Sequence, residues 1–429
     1  MKVNSLAELF ELEKENIVSN CVLCGACVEV CPVIQYTPLK SMSPVEIQEN
    51  VIDLLEHGNM SEVAAIRASS CTHCGRCLNV CPVEINPLDL QEILSFETAR
   101  HGEKRHPIGM IKLGDRICHL SDILCSMQIK PGEERWINSV PPEPTKKDIV
   151  LFTGCGLTMM PEKIFILDDI FKRLDLDFVI LAGVEYCCGS RYMGASLEKA
   201  DAYGKAFIGA LKAFKPRKVI YACAECFNRM ALYDREILPI PFEQEEMFHF
   251  LSRHVQELGL DRPVEKTVTL HDPCVLARLM GDTDSLRRLL KAVPGLNLVE
   301  MVRNKEDSPC CGLATVRSFP KIARDMTREC LEEYALTGAE ILVDACQGCH
   351  LQFCPEDPLY PFETRHCLSI IAEAMGLNYE EKLEKFYRET DTDRILSECK
   401  ENIDASPYDF DHVAFFVKRF FKGPISQVR

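Results

Sequence analysis

The stretch from Asp148 to Cys155 reads DIVLFTGC: a short apolar run rich in β-formers, a turn, and then a cysteine. The same form returns in DFVILA (177–182) and KVIYAC (218–223), separated by amphipathic segments such as PEKIFILDDIFKRL (161–174). Alternating strand and helix predicts a parallel sheet. A second series follows with KTVTLHDPC (266–274) and EILVDAC (340–346). In each series cysteines stand just past a strand's last apolar residue, where open α/β sheets place their ligands and where a ligand is held rigidly.

The spacing shows that the second series copies the first. Cys155 is followed by Cys187 after 32 positions, Cys188 by Cys223 after 35, and Cys226 completes CAEC. Cys274 is followed by Cys310 after 36 positions, Cys311 by Cys346 after 35, and Cys349 completes CQGC. The first cysteines lie 119 positions apart, so the chain carries a tandem duplication with five thiols per copy. Each copy contains an adjacent pair, in VEYCCGS (184–190) and SPCCGL (308–313). Neighbouring Cα atoms lie about 3.8 Å apart, too close for the roughly 4.4–6.8 Å of an unstrained disulfide. Two thiolates on different atoms of one cluster, or simple burial of two small apolar groups, are the other readings. The repeat makes accident improbable.

At 429 residues the chain is long enough for two or three domains, and 47% hydrophobic content supports real cores. A formal charge of −16 argues against nucleic acid or an anionic membrane as the main partner. The first twenty residues lack the basic and apolar blocks of a secretory signal, and no run approaches 18 uninterrupted apolar residues. The expectation is a cytoplasmic protein without a transmembrane segment. Its 24 cysteines then point to metal rather than disulfides.

Eight of them form two copies of C-x2-C-x2-C-x3-C-P: Cys21, Cys24, Cys27 and Cys31, then Cys71, Cys74, Cys77 and Cys81. This run resembles the bacterial ferredoxin pattern, in which the fourth cysteine serves the other cluster. Zinc motifs show paired C-x2-C instead. The crossing rule gives one [4Fe-4S] cubane to Cys21, Cys24, Cys27 and Cys81, and the other to Cys71, Cys74, Cys77 and Cys31. Between the motifs, Ser43, Pro44 and Gly58 mark a helix, with Val45, Val51, Ile52 and Leu55 as its apolar face. A ferredoxin with helices between its motifs resembles the modules of succinate dehydrogenase iron-sulfur subunits and of the C-type component of heterodisulfide reductase. The Pro-rich, charged segment 130–147 reads as a linker.

The C, CC, CxxC units resemble the CCG domain family. Two copies resemble the B-type component of heterodisulfide reductase, and fusion to a helical ferredoxin resembles the D type, in which the C and B modules are joined. The resemblance covers roughly residues 15–375. It implies an α+β multidomain fold. Residues 1–129 form an α-helical two-cluster ferredoxin, 148–260 and 261–375 two Rossmann-like α/β CCG units with pseudo-two-fold symmetry, and 376–429 a tail for partner docking. It also implies noncubane [4Fe-4S] clusters on Cys155, Cys187, Cys188, Cys223 and Cys226, and on Cys274, Cys310, Cys311, Cys346 and Cys349. Gly189 and Gly312 would then spare room beside them.

The function so implied is reduction or formation of a disulfide-type bond of a small molecule at the two noncubane clusters, with electrons arriving through the cubanes. The rival function is an electron-transfer subunit without a substrate of its own, linking a flavoprotein dehydrogenase to a quinone- or ferredoxin-linked partner. It resembles the iron-sulfur subunits of glycerol-3-phosphate, lactate and glycolate dehydrogenases. A third reading makes one CCG site structural zinc. No GxGxxG follows a strand and no P-loop occurs, so flavin would come from a partner subunit. His271 and His350 are candidates to protonate or bind a substrate, and Arg191 and Arg317 to receive its anionic groups, against ordinary structural or exposed roles. Cys118, Cys125, Cys330, Cys354, Cys367 and Cys399 read as buried thiols. The apolar and basic segment FDHVAFFVKRFFK (410–422) is too short to span a bilayer and suits a partner subunit or peripheral membrane association.

Overall fold

The computed structural model describes residues 2–102, 107 and 109–421. Its two main sheets are built alike. Strands β3 (Ile149–Phe152), β4 (Phe178–Leu181), β5 (Lys218–Tyr221) and β6 (Glu243–Glu246) follow a hairpin of β1 (Met110–Leu113) and β2 (Arg116–His119). They form an all-parallel sheet in the order β4-β3-β5-β6. Strands β7 (Thr267–Leu270), β8 (Asn297–Leu298), β9 (Ile341–Asp344) and β10 (Glu363–His366) form another, in the order β10-β9-β7-β8. Read from the opposite edge, the second order is β8-β7-β9-β10, so each unit runs 2-1-3-4 in its own numbering. Each sheet therefore changes direction between its first and third strands, the crevice where open α/β sheets bind ligands.

Strand alternation sorts the cores. Ile149 and Leu151 of β3 point into a core shared with Val268, Leu270, Ile341 and Val343 of the second sheet, while Val150 and Phe152 point into another with Phe207 and Leu211. Burial on both faces is why these parallel strands read as continuous apolar runs. Helices from the two units interleave in the shared layer. Pro161–Arg173 packs on Cys367–Met375, and Met247–Arg253 on Ser285–Lys291.

The first region is helical, with Leu6–Asn20, Pro44–His57, Glu62–Ser70 and Pro87–Arg100 packed together and Leu6–Asn20 also lying on Leu197–Ala213. Ser43 caps the Pro44–His57 helix by accepting from the Glu46 amide, and Gly58 ends it at φ 74°. Val51, Ile52 and Leu55 of the expected apolar face are buried, and Val45 is the exception. Val45 is 42% exposed, whereas Ile47 and the polar Gln48 are buried.

Segment 130–147 is irregular but anchored. Trp136 is buried, and Ile137 donates to Ile180 at 3.0 Å and accepts from Ala182 at 3.3 Å along the edge of β4. At the other end, Thr392–Ala405 packs on Leu120–Gln128 and on Phe410–Phe420. Val413, Phe416, Val417 and Phe420 are thereby buried within the chain and Phe415 stays exposed; Lys422 lies outside the described residues. Among the described residues no helix is long and apolar enough to cross a membrane.

Candidate metal centres

Both ferredoxin-type motifs begin where a helix stops: Cys21 caps the C-terminus of Leu6–Asn20, and Cys71 that of Glu62–Ser70. Each then makes the same turn, with left-handed Leu23 and Gly25 (φ 57° and 75°) in one and His73 and Gly75 (φ 51° and 73°) in the other. A left-handed leucine or histidine is uncommon and costs energy, so the repeated conformation marks a backbone shaped for its thiols.

The turns bring together one crossed set of four. Cys21, Cys24, Cys27 and Cys81 line a single pocket with Gly25, Ile85, Pro87 and Leu90. Gln48 reaches into it, accepting from Cys27 Sγ at 3.4 Å and donating to Cys21 Sγ at 3.6 Å. Burial pushes the Cys27 thiol up to about 11, and Cys21, Cys24 and Cys81 push it the same way. Cys31 and Cys74 both lie within electrostatic reach of Cys71 and Cys77. The buried Arg67 donates to Cys31 Sγ at 3.4 Å.

The five thiols of the first sheet gather past the ends of β3 and β5. Cys155 lies within electrostatic reach of Cys188 and Cys223, and Cys226 within hydrogen-bonding reach of both. Cys187 donates to Cys188, which pushes Cys187 up and Cys188 down. The second sheet repeats this. Cys310 is pushed up by Cys274 and Cys311, Cys311 is held down by Cys310 and Cys349, and Cys349 lies 3.4 Å from Cys311 and beside Cys346. Cys187, Cys188, Cys226, Cys310, Cys311 and Cys349 are all buried, and Cys155, Cys223, Cys274 and Cys346 half-buried.

Gly189 and Gly312 have a cause that their motif did not reveal. They sit at φ 93° and 83°, and a Cβ on them would strike the carbonyl oxygen of Ala200 or of Ala323 in the following helix. Helix packing, not room beside the thiols, excludes a side chain there.

The sets are close neighbours. Gln347, between the cysteines of CQGC, donates to the Ala222 carbonyl at 3.1 Å, and its Cβ lies against Gly156 beside Cys155. In return, helix Ala224–Leu232 of the first unit packs on Val275–Leu279, just past Cys274. Cys74 of the dicluster region packs against Cys310, within hydrogen-bonding reach. Arg278 fixes that junction, donating to the Cys74 carbonyl at 2.5 Å and to the Ser308 carbonyl at 2.8 Å. A cavity of about 710 Å³ opens beside it, bordered by Cys31, Cys74 and Cys310 with Arg76, Arg303 and Glu329.

The donor sets fit clusters. Four thiols around one pocket suit a cubane, and five exceed what a cubane or structural zinc uses. Among the described residues no three His, Cys, Asp or Glu groups close on a single-ion point.

The weaker candidates divide. Buried His271 lies with Nε2 3.2 Å from Cys349 Sγ and Nδ1 against the Tyr334 hydroxyl, and burial lowers it to about 4. A neutral ring that accepts from Tyr334 donates to the sulfur. His350 meets Asp344 at 2.8 Å, Glu384 at 3.0 Å and the Cys354 thiol at 3.2 Å, none of them part of a five-thiol set. Arg191 is half-buried near Cys187 and Cys155, stacked on Tyr192, whereas Arg317 is exposed and holds the Pro107 carbonyl at 2.8 Å. Of the six remaining cysteines, Cys330, Cys354, Cys367 and Cys399 are buried and Cys118 and Cys125 half-buried. Gln48, Arg67 and Arg278 escaped sequence reasoning, because single polar residues in apolar helices or turns form no pattern.

Comparison with known proteins matches residues 149–231 and 268–354 to the cysteine-rich domain called CCG, and residues 17–85 to the 4Fe-4S dicluster domain. The chain is similar to the D component of dihydromethanophenazine:CoB–CoM heterodisulfide reductase from Methanosarcina barkeri, at 31% identity over 56% of this chain and 62% of that protein. The corresponding Methanosarcina mazei protein is 30% identical over 56% of this chain and 63% of its own length. The chain thus spans somewhat under two thirds of these relatives. A probable glycolate oxidase iron-sulfur subunit of Bacillus subtilis is 24% identical over 79% of this chain and 77% of that protein. With a dicluster domain in front and the cysteine-rich domain matched twice behind it, the chain belongs to the CCG-domain iron-sulfur proteins.

Proposed function

We propose that this chain is an oxidoreductase subunit of the heterodisulfide-reductase type, working with a flavin-containing or other redox partner in the cytoplasm. Residues 1–129 would be the ferredoxin domain, 148–260 and 261–375 two Rossmann-like units related by a pseudo-two-fold axis, and 376–429 a tail. Cys21, Cys24, Cys27 and Cys81 would hold one cubane, and Cys31, Cys71, Cys74 and Cys77 the other. Each five-thiol set would hold a noncubane [4Fe-4S] cluster. Such clusters supply one-electron steps and iron positions open to sulfur. The observation that carries the reading is the packing of Cys74 on Cys310, which joins the dicluster thiols to the second set, while Gln347 joins that set to the first.

The chain's own residues then have defined work. Arg278 fixes the distance between Cys74 and Cys310. Burial of the thiol pairs keeps water from the reacting sulfur. Arg191, whose buried Nε has no partner among the described residues, faces the first set and can orient an anionic group of a small disulfide. Disulfide turnover with an artificial donor tests this. Replacing Cys188 or Cys311 by Ala is expected to abolish turnover while the dicluster region stays reducible. Turnover at the normal rate in both variants would contradict it.

The broad cover by the glycolate oxidase iron-sulfur subunit favours one alternative, an electron-transfer subunit between a dehydrogenase and its acceptor. That chain would reduce no disulfide, yet would lose electron throughput in the same variants.

A further inference from the structure

Between the two dicluster thiol sets lies a guanidinium that pairs with no carboxylate among the described residues. Arg67, on the Glu62–Ser70 helix that ends at Cys71, is 1% exposed. Its Nη1 donates to Cys31 Sγ at 3.4 Å, and its Nε is buried without a partner among the described residues. The largest charges that act on it come from Cys31, Cys71, Cys27 and Cys77, in falling order: three thiols of one set and one of the other.

A guanidinium does not shed its proton in a protein, and burying one without a counter-charge is strongly unfavourable. Here the counter-charge has to come from what the eight thiols hold. A cubane with four thiolate ligands is anionic and gains one more negative charge on reduction, so a cation in a low-dielectric site favours the reduced state. Both motifs start at a helix C-terminus, whose partial negative charge bears on the two sets alike. Gln48 bonds only to thiols of the first set, whereas Arg67 and Arg278 bring positive charge to the second, Arg67 as a direct donor to Cys31.

We propose that Arg67 is the shared counter-charge of the dicluster region. It raises the reduction potential of the centre on Cys31, Cys71, Cys74 and Cys77 above that of its neighbour, and screens the two so that both hold an electron at once. The inference rests on the thiol assignment proposed above. It deepens that reading: an electron pair collects beside Cys310, as cleavage of a two-electron bond requires.

The test uses the full chain, loaded anaerobically with iron and sulfide, with iron counted before a redox titration followed by electron paramagnetic resonance with dithionite as reductant. The wild type is expected to show two separate dicluster steps. Arg67→Gln, with iron unchanged, is expected to lower the upper step by at least about 59 mV, a tenfold change in the ratio of reduced to oxidised centre for one electron. Arg67→Lys is expected to restore most of it. A fully loaded Arg67→Gln protein with unmoved potentials overturns the proposal, as does a lysine variant that shifts as far as the glutamine one. Failure of Arg67→Gln alone to load, with Arg67→Lys loading near the wild-type potentials, supports the counter-charge role. Failure of both to load makes Arg67 a packing residue and overturns it. An iron-free wild type removes the thiol assignment itself, and the proposal with it.

Discussion

The two five-thiol units share a strand order and a thiol arrangement but not their surroundings. Two positions before CxxC and one after it, the first unit has Tyr221 and Phe227, whose rings meet edge to face at 6.0 Å. The second has Asp344 and His350 at those places, joined at 2.8 Å. That pair continues through Glu384 to Lys163, fully buried on a helix of the first unit, which also binds Glu381 at 2.8 Å and Ser369 at 2.7 Å. Beside the thiols, Ser190, Glu225 and Arg229 of the first unit correspond to Leu313, Gly348 and Gln352 of the second. Each unit grips the dicluster region by an arginine from a different element. Arg229 pairs with Glu92 at 3.2 Å, and Arg278 holds Cys74. Duplication kept the thiol arrangement; divergence gave the second unit the thiol-to-thiol contact with the dicluster region and a hydrogen bond from His350 to Glu384 of the C-terminal helices.

The largest effect should come from breaking the junction. Cys310→Ser is expected to stop electrons from the dicluster region reaching either five-thiol site, whereas Cys187→Ser spoils only its own. Stopped-flow reduction of each variant separates these outcomes, and equal damage from both would erase the difference between the units.

Next is the exchanged pair. His350→Phe leaves Asp344 buried without its partner and is expected to cost about 3–5 kcal/mol. Phe227→His adds an unpartnered polar ring in the other unit, for about 1–3 kcal/mol. Denaturant unfolding of both variants measures the contrast.

Sequence spacing made the thiol sets legible because cluster chemistry fixes which residues must be near one another. It made the strands legible because both faces of each sheet are buried. Contacts across the chain were not legible. Nothing at Cys74 points to Cys310, and an amphipathic helix such as Phe410–Phe420 looks the same whether a partner or its own chain covers it. Ser43 and Gly58 mark the ends of the Pro44–His57 helix, and Val51, Ile52 and Leu55 are buried, but nothing in the sequence shows Val45 as exposed or Gln48 as bonded to two thiols.

A third contrast is in pH. Glu246 and His366 cap the equivalent helices after β6 and β10, accepting from His249 and Leu368 amides. Burial neutralises both, raising Glu246 to about 8 and lowering His366, which nearby His350 and Lys163 push further down. The Glu246 contribution is fully present below about pH 4.5 and lost as pH rises toward 8. The His366 contribution is present above about pH 6.5 and lost as pH falls. Glu246→Gln is therefore expected to flatten the alkaline loss, by about 4 kcal/mol at pH 8. Unfolding midpoints between pH 5 and 8 read this directly.

The smallest effect tests what the units share. Gly189→Ala and Gly312→Ala force alanine into the left-handed region and are each expected to cost about 1–2 kcal/mol before any helix shift. Similar losses in both would support one inherited frame; a loss in one alone would deny it.

Metal analysis of anaerobically purified protein tests the central claim, that four thiol sets of two kinds hold four clusters. About 16 iron atoms per chain are expected, four for each [4Fe-4S] cluster. About 8 irons with stoichiometric zinc would keep the dicluster region and contradict the reading of the five-thiol sites.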